Sequence, residues 1–137
     1  MNERYLSKAK TCNGEWVIGF LHYKGNRWYI SNKAGAPFAF EVRPDTICRC
    51  TESSDKNYNL IWENDIVRVW ADADDFGNDL YYFFKVVWNK DLCCWWLSDI
   101  YTQEDEYLYI CLKEIDVIGN IFDNPELLER GCKNDCK

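Results

Sequence analysis

The residue types that could do chemistry are few in this chain, and their spacing is unhelpful. His22 is the only imidazole, in an apolar run with Phe20, Leu21 and Tyr23. A hydrolase or transferase needs a base beside its nucleophile, so one of the eight cysteines would have to meet His22 in space. No spacing favours any of them, and a strand histidine facing its neighbours or solvent accounts for the residue better. The close cysteine pairs are Cys48-x-Cys50, Cys93-Cys94 and Cys132-x3-Cys136, none with the two-residue spacer of a zinc ribbon. Cys132 and Cys136 could clip a metal only with ligands from elsewhere. Asp72, Asp74, Asp75 and Asp79 surround Gly77 but lack the alternating acids and closing Glu of a calcium loop. Glycine-rich phosphate loops and the zinc-protease His-Glu-x-x-His signature are absent. The residues point to no enzyme, no cofactor and no metal site.

Charge narrows the partners. A formal net charge of −7 argues against binding nucleic acid through phosphate neutralisation, which depends on Lys and Arg displacing counterions. An acidic surface fits solubility, a basic protein partner, or mimicry of a nucleic acid's charge. Aromatic residues make up 17% of the chain, enough to close a core in 137 residues or to form a recognition patch. The start is polar, with no apolar segment typical of a signal peptide, and no apolar run is long enough to span a bilayer. The chain is therefore expected in a reducing cytoplasm, with its cysteines acting as small hydrophobes.

The elements that must position these residues read as short strands. Residues 66–70 form a β-branched strand fed by the polar turn Glu63-Asn64-Asp65, a pattern that often opens a small closed barrel. Strands are predicted over 5–10, 15–23, 27–31, 38–42, 46–50, 80–88, 92–97, 107–112 and 115–120. Both faces of 15–23 carry apolar residues, which places that strand centrally. Residues 51–59 are the most polar stretch and are predicted as an exposed connection; 71–79 is predicted as a solvated loop. One helical turn is expected within 98–106, and Asn124-Pro125-Glu126 starts a short helix, with proline where no backbone donor is needed. Adjacent Trp95 and Trp96 face opposite sides of their strand, so one is expected to enter the core and the other either to mark a surface for a partner or to be covered by a flanking segment. No repeat is visible.

Two blocks in the right order resemble the YopX family. One is Thr51, Asp55-Lys56-Asn57, Ile61-Trp62-Glu63 and Asp65-Ile66-Val67. The other runs from Ile115-Asp116-Val117-Ile118-Gly119-Asn120 to Asp123-Asn124-Pro125-Glu126-Leu127-Leu128. The start, with Asn13-Gly14-Glu15-Trp16-Val17-Ile18-Gly19, is similar too. The family usually has glycine where this chain has Glu52, Tyr58 and Asn64. Asn tolerates left-handed backbone best, so Asn64 keeps its turn, whereas Glu52 and Tyr58 imply that their loop has changed shape. The resemblance implies a phage or prophage protein, cytoplasmic in a bacterial host, with an SH3-like barrel and no established activity. Its shared positions Asn64, Asp65, Gly119, Asn120 and Pro125 read as structural.

The expectation is thus a mainly β protein: a small antiparallel SH3-like barrel or two, hairpins, and a short C-terminal helix. It is one domain, or two small β subdomains at about 1–50 and 51–128, followed by a polar tail at 129–137. The function expected is non-catalytic binding of a protein partner, with a homo-oligomer in view and no membrane. The alternatives are an acidic inhibitor of a host defence nuclease and a single-stranded nucleic-acid binder using exposed aromatics. The inhibitor would gather Asp72, Asp74, Asp75, Asp79, Asp99, Glu104, Asp105 and Glu106 on one face.

Overall fold

A computed structural model describes residues 6–31, 39–102 and 104–129. The chain is mainly antiparallel β, with one short helix near the C-terminal end, and divides into two compact units, Met1–Glu52 and Ser53–Lys137. Cys132 and Cys136, the tail and most of the loop before residue 39 lie outside the described residues.

The first unit contains β1 (Ser7–Lys10), β2 (Trp16–Lys24), β3 (Arg27–Ser31), β4 (Ala39–Val42), a 3-10 turn at Pro44–Thr46, and β5 (Cys48–Ser54), whose end crosses the boundary. The order is β4-β3-β2-β1-β5, so β2 is central, as its two apolar faces require. The β2–β3 hairpin turns through Gly25 (φ 61°) and Asn26 (φ 65°), whose paired left-handed geometry matches the strand twist. Ala9, Ile30 and Val42 form its core, with Val17, Leu21 and Trp28 packed against them.

The second unit opens with loop 55–59 and β6 (Leu60–Trp62). There follow β7 (Asp65–Ala73), β8 (Asp79–Asn89), β9 (Cys94–Asp99), β10 (Glu106–Tyr107), a 3-10 turn at Leu108–Ile110, β11 (Ile115–Asn120) and α1 (Glu126–Glu129). The sheet order is β10-β9-β8-β7-β11. Ile61, Val67, Val69, Phe84, Val86, Leu97, Leu108 and Ile115 form one buried cluster, on the side of β7 and β8 that alternation assigns to the interior.

The units repeat a connectivity that no residue pattern announced. In each, four strands meander, a 3-10 turn follows, and the fifth strand returns beside the first. That is the order of an SH3-like unit, but the second sheet ends in edges at β10 and β11. In the first, β4 reaches β1 only through a bridge from Thr11 to Val42 and the Arg43 N–H to Lys10. The described strands therefore form open sheets, not the closed barrel anticipated from residues 66–70.

Three local expectations also give way. β5 runs on through Ser54, so the connection expected over 51–59 shrinks to 55–59, which is exposed as expected except at the buried Asp55. The described residues within 98–106 hold no helical turn: Asp99 Oδ1 accepts from the N–H groups of Tyr101 and Thr102 and makes an Asx turn instead. The strand expected over 107–112 is a two-residue edge followed by the 3-10 turn.

Candidate functional site

The second unit has a hollow of about 320 Å³ at the open end of its interior face. The register pairs Val69 with Tyr82 and Val67 with Phe84, so Val69, Tyr82 and Phe84 share that face. Phe84 is buried whereas Tyr82, nearer the strand end, is 46% exposed. Opposite them stand Glu104, from the loop entering β10, Glu106, the first residue of β10, and Cys111 and Glu114, from the turn leading to β11. Asp105 also lines the hollow, but its carboxylate is engaged inward, accepting from Trp96 Nε1 at 2.9 Å and from the Asp99 N–H at 2.9 Å.

Glu104, Glu106 and Glu114 have no cation within ion-pair distance among the described residues. Burial, then the charges of Glu106 and Glu114, push the Cys111 thiol above its ordinary pKa. Both carboxylates thus act on the same point in the hollow, where unneutralised negative charge meets a half-exposed aromatic wall. Such a surface favours a cationic or amphipathic side chain.

A second feature lies on the other flank of the 111–114 turn. Loop 55–59 folds around Asp55, which is 4% exposed. Its Oδ1 accepts from the N–H groups of Asn57 and Asn59, and its Oδ2 from Val117 N–H at 3.1 Å and Asn59 Nδ2. Burial opposes the charge on Asp55, but the hydrogen bonds from Val117, Asn59 and Asn57 outweigh it and hold its pKa below the ordinary value. Lys56 N–H donates to Ile115, and Asn57 Nδ2 reaches Asp116, which also pairs with Arg68 at 3.0 Å. At the tip, Tyr58 has φ 67° and is 90% exposed. Lys56, Tyr58, Leu112 and Lys113 line a second shallow hollow there.

The family's glycine positions are explained by this geometry. Glu52 (φ 68°), Tyr58 (φ 67°) and Asn64 (φ 72°) all keep left-handed backbone. The inference that Glu52 and Tyr58 signal a reshaped loop is overturned: both adopt the conformation a glycine would, at a cost, because the surrounding hydrogen bonds determine it. Asn64 N–H donates to Val86 and its carbonyl accepts from Ile121, while Asp65 is buried and its Oδ2 accepts from Trp62 N–H. Gly119 sits at a register shift in β11, and a Cβ there would lie 2.5 Å from Asn124 Oδ1. That oxygen accepts from Asn120 N–H, so the Asn124 side chain closes the turn after β11, and Pro125 follows to begin α1.

The remaining sequence candidates are dispersed. Trp95 packs against the buried cluster and edge-on to Trp88; Trp96 meets Tyr107 edge-on and donates to Asp105. Both rings are half-buried and engaged within the unit. In the first unit, His22 Nε2 lies 2.7 Å from Ser31 Oγ, in a shallow groove lined by Lys24, Arg27 and Tyr29 and by no cysteine. Of the eight acids, Asp99 is buried and Asp105 bonds inward, whereas Asp74 bonds within its own solvent-facing loop. Nothing in the residue pattern singles out Tyr82, Cys111 or Glu114, and Tyr58 stands out only as a departure from the family's glycine. The available signal for loop 55–59 is the spacing Asp-x-x-x-Asn, which recurs at 74–78.

Fold and site together define a two-unit, mainly β protein with an acidic, aromatic-walled hollow in its second unit. Residues 2–129 match the model of the YopX protein family, and the chain belongs to that family. No curated protein matches it. No helix among the described residues is long and apolar enough to cross a membrane.

Proposed function

We propose that this protein is a non-catalytic phage or prophage accessory protein that acts in the bacterial cytoplasm by binding another protein. The contact surface is the hollow around Tyr82, and the observation that carries this reading is the convergence of Glu104, Glu106 and Glu114 there without a cation. Fixed carboxylates around an aromatic wall favour a partner that brings Lys or Arg, and they disfavour nucleic acid. The environment of His22, bonded to Ser31 with no nearby thiol in its groove, supports a role without catalysis. The inward engagement of Asp99 and Asp105 weighs against mimicry of a phosphate backbone by a nuclease inhibitor.

The test compares tagged wild type with Glu106→Lys/Glu114→Lys as baits in host lysate, with a circular-dichroism check that both fold. A protein, this chain included, retained by wild type and lost by the variant is the expected result. Identical captures would overturn the assignment of the hollow.

A further inference from the structure

The hollow and the tip of loop 55–59 flank the same short turn, 111–114, and carry opposite charge. On one side Glu106 and Glu114 stand beside Tyr82; on the other Lys56 and Lys113 stand beside Tyr58. Neither lysine has a carboxylate within ion-pair distance among the described residues. Lys113 and Glu114 are consecutive, so the two patches abut along the turn.

Tyr58 adds a second, independent clue. Its ring is 90% exposed, yet its backbone holds the left-handed conformation that glycine adopts at the matching position of loop 74–78, where Gly77 has φ 81°. A tyrosine there costs folding energy, and an exposed ring contributes little packing to offset it. Its side chain is therefore placed for a contact outside the chain. Abutting patches of opposite charge, one with a projecting ring and the other with a hollow, suit a two-fold contact in which each patch meets its counterpart on the other subunit.

We infer that the second unit mediates self-association: Tyr58, flanked by Lys56 and Lys113, docks into the hollow formed by Tyr82, Glu106 and Glu114 of a second copy, and reciprocally. This rests on the reading of the hollow as a protein-binding surface and names its occupant.

Sedimentation velocity over a wide concentration range, at low and high salt, tests it with four proteins, each checked for folding by circular dichroism. Wild type is expected to form a dimer that weakens with salt. Glu106→Lys/Glu114→Lys and Lys56→Glu/Lys113→Glu each place like charges together and are expected to weaken association by roughly 100-fold. Mixed in equal amounts, these two charge-reversed chains present opposite charges at both contacts, and the dimer returns. Tyr58→Gly is expected to weaken association by about 30-fold. A wild type that stays monomeric throughout, a dimer indifferent to the reversals, or no recovery on mixing would overturn the inference. If wild type is monomeric but its lysate capture still depends on the hollow, the self-association fails and the binding surface stands. If hollow reversal changes neither measurement, both fall.

Discussion

Loops 55–59 and 74–78 close their hairpins by the same bonds. In each, the first Asp accepts through Oδ1 from two backbone N–H groups, two and four residues on, and through Oδ2 from the last Asn side chain. The Asp N–H donates to the Asn carbonyl, and the left-handed fourth residue donates back to the Asp carbonyl. Two things differ. Asp55 is buried and takes a further hydrogen bond from Val117, which joins its loop to β11, whereas loop 74–78 stands in solvent. And the left-handed position is Gly77 in the exposed loop but Tyr58 in the docked one. One plan thus serves two ends: a free turn keeps the residue its backbone favours, and a loop fastened to the sheet tolerates one that its backbone does not.

Breaking the shared plan should expose that difference. Asp55→Ala leaves the half-buried Val117 N–H and two loop donors without their acceptor and is expected to cost about 2 kcal/mol in chemical denaturation. Asp74→Ala removes the same bonds where water can replace them, and its fall in Tm should be a fraction of that. Hydrogen bonds hold both Asp55 and Asp74 below the ordinary carboxylate pKa, Asp55 against the greater opposition of burial. Asp55 titrates below its ordinary value of about 3.9, so its stabilisation is complete above that pH and is lost as pH falls through the folded-state pKa. Asp55→Asn is accordingly expected to be less stable than wild type at neutral pH, with the gap narrowing in acid. A constant gap would show that the ionised form is not what holds the loop.

Exchanging the left-handed residues gives smaller effects of opposite sign. Gly77→Tyr is expected to lose about 1 kcal/mol, from backbone strain alone, because a Cβ at Gly77 meets no atom within 4 Å. Tyr58→Gly is expected to gain about 0.5–1 kcal/mol, strain relief less the greater freedom of glycine in the unfolded chain. Smallest of all, Glu106→Gln/Glu114→Gln removes two charges facing Cys111 and should raise its alkylation rate at neutral pH several-fold. Burial, the leading cause of the raised pKa, stays in place, and an unchanged rate would show that the carboxylates do not face the thiol.

Much of the fold was legible because hairpins announce themselves locally. Gly25-Asn26 between apolar strands, the two-sided apolar run of 15–23 and the Asn-Pro-Glu start of α1 each carry their own geometry. The family likewise showed itself in two ordered blocks. What could not be read depends on contacts distant in sequence. Asp55 looks like one acid in a polar stretch until Val117, sixty-two residues on, supplies a donor to it. Tyr58 and Glu52 looked like evidence of a remodelled loop because a substitution at glycine was read as a change of backbone, whereas the hydrogen bonds of Asp55 hold the backbone at Tyr58. The hollow was hidden for a similar reason: Tyr82, Glu106 and Glu114 come from separate elements, and only Glu106 belonged to a visible cluster of acids. The closed barrel failed because strand pattern sets pairing partners but not whether the outermost strands meet.

The central claim is that Tyr58 is held at a glycine's conformation for a contact outside the fold. It is tested most directly by measuring Tyr58→Gly twice, by chemical denaturation at a concentration where wild type is monomeric and by sedimentation velocity across the range where it associates. A more stable chain that associates more weakly than wild type is the predicted result. A chain that associates as wild type does, or one that loses stability, would contradict the claim.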